Sequence, residues 1–135
     1  MSKHFLFVYG TLRKHENNSQ FLKEAKCVTE QAWTKGVLYD TGCGYPAMKA
    51  SSSKYVYGEV YEVNEEQLRE IDRLEDYKES RSSNLYDRII QSVFTDSGEC
   101  KAFLYIASDQ LTKLRQEIPL GDWKEYLYYK GKQTY

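Results

Sequence analysis

The chain has 135 residues, with 19 Lys and Arg against 20 Asp and Glu for a formal net charge of −1, and is 41% hydrophobic and 15% aromatic. That length supports one domain, residues 1–135, with a core and an enclosed pocket, and excludes two full domains. A near-neutral chain lacks the basic face that displaces counterions from duplex DNA or docks on anionic lipid, so neither nucleic acid nor a membrane is expected as a partner.

Residues 4–9 (His-Phe-Leu-Phe-Val-Tyr) form a short aromatic and β-branched run stopped by Gly10-Thr11, which predicts a buried strand entering a tight turn. Its apolar stretch, residues 5–9, is shorter than the roughly 7–15 residues of a signal peptide or the about 20 of a membrane helix, so a cytoplasmic protein is expected. Residues 17–25 begin with cap-type side chains and suit a short helix apolar on Phe21, Leu22 and Ala25. Residues 27–39 favour extended chain, and 41–46 (Thr-Gly-Cys-Gly-Tyr-Pro) is a turn cluster. Residues 54–63 alternate as a strand, in which Gly58 predicts a bulge or a close backbone approach. Asn64-Glu-Glu-Gln67 is a capping-box pattern opening a helix with Leu68, Ile71 and Leu74 at helical spacing.

Residues 86–95 and 99–107 are two β-rich runs joined by Asp96-Ser-Gly98, a hairpin pattern. Ser108 then caps an expected short helix with Leu111, Leu114 and Ile118 on one face. The aromatic tail, 121–129, is expected to dock on its own barrel or on a neighbouring copy. Thirteen tyrosines and two prolines lean the chain toward half-buried strands with a polar-lined interior. The predicted fold class is therefore α+β: a small, mostly antiparallel barrel or curled sheet with short helices outside.

Glu75 is the most informative single residue. On a 100° wheel with Leu68 at 0°, Ile71 falls at about 300°, Leu74 at about 240° and Glu75 at about 340°, between core positions. Such a carboxylate is aimed inward, where burial and the helix C-terminus both raise its pKa and suit it to proton transfer. If the helix has frayed by residue 75, it is instead a solvated acid. Asp72, at about 40°, reads as an outer carboxylate. Tyr9-Gly-Thr-Leu-Arg13 follows the first strand: its glycine permits close approach, free N–H groups at a strand end can cradle a carboxylate, and Arg13 can add a charge-assisted contact. An ordinary strand-ending turn is the alternative.

Cys27, Cys43 and Cys100 form no CxxC pair, and His4 and His15 lack ligand spacing, so no disulfide scaffold, zinc site or thioredoxin-like motif is expected. Cys43 sits in a glycine turn without a nearby histidine to activate it and reads as a free structural cysteine. No phosphate-loop, GxSxG or HExxH motif occurs. Tyr55, Tyr57 and Tyr61 read as a strand face rather than an RNA-stacking platform, given the missing basic patch.

Taken in order and spacing, Val8-Tyr-Gly-Thr-Leu-Arg13, Gly36-Val-Leu-Tyr39, Gly44-Tyr-Pro-Ala47, Gly58-Glu-Val-Tyr-Glu-Val63, Leu74-Glu-Asp-Tyr77 and Tyr86-Asp-Arg88 resemble the γ-glutamylcyclotransferase-like (AIG2-like) family over nearly the whole chain. The resemblance implies a small mixed barrel with flanking helices, Glu75 as catalytic acid/base, and a substrate pocket lined by Tyr9, Gly10, Thr11 and Leu12. Asp76 stands where many relatives carry glycine, and Asp87 where another residue is common, leaving Tyr86 and Arg88 as pocket-support candidates beside Arg13. Tyr45, Tyr77 and Tyr105 are candidates for an aromatic wall.

The implied reaction is attack of a substrate's α-amine on its own γ-carbonyl, releasing 5-oxoproline and a free amine without metal or cofactor. The small-molecule substrate carries a γ-glutamyl group, and its leaving amine is left open among amines, dipeptides, glutathione and γ-glutamyl-ε-lysine. A non-catalytic binding module on the same fold and a thiol enzyme built on Cys43 are the rival readings. Oligomeric state is not legible.

Overall fold

Strand alternation decides which side chains of the first segment turn inward. In the computed structural model, which describes residues 3–78, 84–108, 111, 114 and 116–132, β1 (Lys3–Val8) places Phe7 on one face and Leu6 and Val8 on the other. It pairs antiparallel with β5 (Tyr55–Asn64), from Lys3↔Asn64 to Val8↔Glu59. β5 pairs with β2 (Lys26–Lys35), β2 with β6 (Tyr86–Thr95), and β6 with β7 (Gly98–Ala107). A parallel contact at Leu6↔Phe103 closes the barrel in the order β1-β5-β2-β6-β7. Closure removes the free edges that an open sheet of this length would expose.

All five strands contribute to the interior cluster, through Phe7, Val56, Val60, Ala32, Val93, Ala102 and Leu104. The other face of the wall packs Leu6, Val8, Tyr61, Val63 and Tyr105 against Leu68 and Ile71 of α1 (Glu65–Leu74). α1 starts with the anticipated capping box: the Asn64 side chain accepts from Gln67 N at 2.8 Å while Gln67 Oε1 accepts from Asn64 N at 2.8 Å. A second, three-stranded sheet is ordered β4-β3-β8, from β3 (Val37–Asp40), β4 (Pro46–Lys49) and β8 (Gln116–Ile118). It lends Leu38, Met48 and Ile118 to the interior cluster.

Several expectations need revision. Residues 17–25 hold only a 3-10 turn over Ser19–Leu22, because its single apolar edge, with only Leu22 buried, cannot repay a full helix. Pro46, read as the last residue of the 41–46 turn cluster, instead opens the strand Pro46–Lys49, whose four residues are too few to show a period. The helix expected from Ser108 lies largely outside the described residues, and Ile118 stands in β8, paired with Leu38. The tail forms α2 (Trp123–Lys132), with Trp123 buried in the interior cluster. Gly58 marks a close approach: a Cβ there would lie 2.1 Å from Val8 O, and the register of β2 shifts opposite it. Among the described residues no helix is long and apolar enough to cross a membrane.

Candidate active site

Where β1 ends, the chain must turn against the second sheet, and the turn opens a cavity of about 560 Å³. Its wall is assembled from the 9–12 loop, the 43–46 turn, residues 74–76 after α1, Leu85 and Tyr86 at the start of β6, and Tyr105 of β7. Gly10 is required here by space, since a Cβ would sit 2.7 Å from Pro46 Cγ. The carbonyl side of the loop is occupied: Gly10 O accepts from Arg13 N at 3.0 Å, and Thr11 O from Asn18 N at 2.8 Å. Asn18 Nδ2 also donates to Thr11 Oγ1 at 2.8 Å. By contrast, the amides of Gly10, Thr11 and Leu12 donate to no described acceptor. Three open N–H groups in one turn are the hydrogen-bonding half of an anion cradle.

Glu75 directly follows α1, and its N–H still bonds Ile71 O at 2.9 Å, so the helical register extends to it. Asp76 then adopts a left-handed conformation at φ 53°. Asp76 N bonds Arg73 O at 3.2 Å and Tyr77 N bonds Asp72 O at 2.8 Å, a Schellman end with aspartate in the usual glycine position. That closure sets the direction of the Glu75 side chain into the cavity. The carboxyl accepts no hydrogen bond from any described residue, and burial raises its pKa to about 7. A partly desolvated carboxyl without compensating donors resists ionisation and is poised for proton exchange near neutral pH.

Tyrosines surround it. Tyr86 lines the same cavity, and its hydroxyl is buried with no hydrogen-bond partner among the described residues. Burial, with Tyr45 and Glu75 nearby, pushes its pKa well up, so it remains a neutral donor. Tyr105 donates its hydroxyl to Asp72 Oδ1 at 2.5 Å, while its carbonyl accepts from Tyr9 OH at 2.6 Å. Tyr45 stands half-exposed at the mouth. Cys43 also reaches the cavity, with its sulfur 3.9 Å from Thr41 O. His4 is taken by Glu65 at 2.5 Å. Among the described residues no cluster of His, Cys, Asp and Glu is placed to hold a metal ion.

Three candidates fall outside this wall. Arg13, a candidate for a charge-assisted contact or for pocket support, turns behind its loop to Glu59 Oε2 at 3.1 Å and Asp122 Oδ1 at 3.0 Å. Glu59 is 1% exposed, and a buried carboxylate left unpaired costs more than an open cavity gains from the cation. Arg88 donates to Asp72 Oδ2 at 2.6 Å and lies over the rings of Phe103 and Tyr77, at 4.8 and 5.2 Å. Arg88 therefore supports the wall through Asp72 and Tyr105. Tyr77 packs edge-on against Tyr105 with ring centroids 6.4 Å apart. Sequence reasoning passed over Glu59 itself; the available signal was a carboxylate sharing a strand face with Tyr61 and Val63, both buried.

Comparison with known proteins matches residues 6–125 to the family described as gamma-glutamyl cyclotransferase, AIG2-like. The chain is 42% identical over 124 residues to gamma-L-glutamyl-butirosin B gamma-glutamyl cyclotransferase of Niallia circulans, covering 90% of this chain and 76% of that one. Bacillus subtilis YkqA superposes with a TM-score of 0.79 at 34% identity, across 97% of this chain but only 43% of the longer YkqA. An uncharacterized protein of Pyrococcus horikoshii superposes with a TM-score of 0.73 at 26% identity, over 98% of this chain and 99% of its own. With the barrel, the loop after β1 and the matched span in agreement, the chain belongs to the gamma-glutamyl cyclotransferase, AIG2-like family.

Proposed function

We propose that the protein is a cytoplasmic cyclotransferase that cleaves a γ-glutamyl amide by attack of the substrate's own α-amine on its γ-carbonyl. The C–N bond formed closes a five-membered ring, the original amide C–N bond breaks, and 5-oxoproline and a free amine leave. Folding the substrate so that amine and carbonyl meet is worth about 7–11 kcal/mol of barrier in well-oriented intramolecular reactions. Glu75 takes the proton released by the attacking amine and returns it to the departing nitrogen, a task suited to a carboxyl whose pKa lies near 7. The open amides of Gly10, Thr11 and Leu12 hold the α-carboxylate or the developing oxyanion, and Tyr86 is a neutral donor within the same cavity.

The isolated Glu75 carboxyl inside the cavity is the observation that carries this reading. In this reading the leaving amine is of the γ-glutamylamine type, and a substrate panel sets it against dipeptides and glutathione. Free Cys27, Cys43 and Cys100 suit a reducing compartment.

The test is 5-oxoproline release from γ-glutamyl-amines, γ-glutamyl-ε-lysine, γ-glutamyl dipeptides and glutathione. Glu75→Gln should lose about 10²–10⁴-fold in turnover while remaining folded, and Cys43→Ser should retain it. Wild-type rates in Glu75→Gln, or saturable binding of 5-oxoproline with no compound turned over, would overturn the assignment.

A further inference from the structure

We propose that Glu59, Arg13 and Asp122 form a clasp that positions the amides of Gly10, Thr11 and Leu12 for substrate, making Glu59 and Asp122 positioning residues of the reaction. The inference rests on the cyclotransferase reading. Glu59 lies on the outer face of β5, 1% exposed, directly behind the loop. Its Oε1 accepts from Lys14 N at 2.9 Å and from Tyr61 OH at 3.0 Å. Oε2 accepts from Arg13 Nε at 3.1 Å, with Lys124 Nζ at 3.9 Å. Arg13, 7% exposed, reaches Asp122 Oδ1 with Nη1 at 3.0 Å. Arg13 N in turn bonds Gly10 O, so the clasped residue is tied directly to the cradle.

Asp122 stands on a rigid mount of its own. Gly121, at φ 68°, packs so closely on β5 that a Cβ would lie 2.0 Å from Tyr55 O, and its carbonyl accepts from Tyr57 N at 2.8 Å. On its other side Trp123 is 2% exposed. The loop is thus held between a carboxylate of the barrel wall and one of the C-terminal segment. Charge-assisted bonds of this kind restrict geometry more than neutral ones, and displacement of a substrate-gripping group by about 1 Å can cost up to 10²-fold in rate.

Asp122 also caps α2, accepting from Glu125 N at 3.2 Å, so the test must separate cap from clasp. Asp122→Ser keeps a good N-cap but is too short to reach Arg13; Asp122→Asn keeps an acceptor for both. Steady-state kinetics on the preferred γ-glutamyl compound and amide hydrogen exchange would be measured for each. Asp122→Ser should raise KM about 10-fold, leave the pH profile unchanged, and speed exchange at Arg13 and Lys14, whose amides bond Gly10 O and Glu59 Oε1, but not in the barrel strands; Asp122→Asn should keep both at wild-type values. Unchanged KM and exchange in Asp122→Ser, or a loss that follows Tm equally in both variants, would overturn the clasp. Should wild type turn over no γ-glutamyl compound, the reaction reading falls, and faster or unchanged exchange at Arg13 and Lys14 in Asp122→Ser then supports or overturns the clasp on its own.

Discussion

At the scale of single residues, the cavity is organised around a carboxyl that the fold does not help to ionise. Glu75 has its pKa raised from an ordinary 4.5 to about 7, and burial is the cause. The folded-state value lies above the unfolded one, so its stability contribution is complete below about pH 4.5 and is lost as pH rises through 7. The loss is about 3 kcal/mol. Glu75→Gln should therefore melt near wild type at pH 4.5 and several degrees higher at pH 8, measured by thermal unfolding at both values. In wild type kcat/KM should rise with pH through about 7, a limb missing from the residual rate of Glu75→Gln. Tyr86 presents the complementary case, since its buried hydroxyl has no described partner. Tyr86→Phe removes an unsatisfied polar group and should raise stability by about 1 kcal/mol. Its substrate affinity should fall, because a bound γ-glutamyl group loses the donor; equilibrium unfolding and KM together check both halves.

At the scale of elements, the ends of strands and helices matter more than their middles. α1 aims Glu75 because Asp76 accepts a left-handed turn, and the 9–12 loop offers amides because β1 stops against Pro46. Gly58 shows how little slack the wall has. A Cβ there would meet the Val8 carbonyl at 2.1 Å and the Phe7 ring at 2.9 Å, and backbone cannot rotate away as a side chain can. Gly58→Ala should cost about 3 kcal/mol or more, read from urea unfolding. It should also perturb the loop that follows Val8, seen as a raised KM in whatever fraction remains folded. The helix signals in 64–75 were strong because capping box and apolar period agree in one segment. In 17–25 the cap-type residues lead into only a narrow apolar edge, Phe21, Leu22 and Ala25, and the segment yields one 3-10 turn.

At the scale of the whole molecule, closure of the barrel gathers into one wall residues from the end of β1, the 43–46 turn, the end of α1, and the paired ends of β6 and β7. The C-terminal helix belongs to the same cooperative unit, because Trp123 sits in the interior cluster and stacks on Tyr126 at 5.7 Å. Trp123→Ala should lower stability by about 3–5 kcal/mol. The shift should appear as one transition, with near- and far-ultraviolet circular dichroism coincident, rather than as separate early melting of α2.

Period and local chemistry left Glu75 open between an inward carboxyl and a solvated acid, whereas they were enough to read β1, the β5 strand, the capped α1 and the β6–β7 hairpin. Each is specified by neighbours within a few positions: alternation of side chains, a cap three residues from its partner, an apolar stripe every turn. The same local logic could not place Arg13, for which it left a ligand contact and an ordinary strand-ending turn both open. Its partners lie 46 and 109 residues away in the chain, and only folding brings Glu59 and Asp122 to it. Barrel closure, the strand at 46–49, the place of Ile118 and the burial of the Tyr86 hydroxyl away from any partner among the described residues were likewise decided by tertiary structure. Pairing across long loops, and the desolvation that forces a buried charge to find its counter-charge, depend on distances in space that no period along the chain encodes.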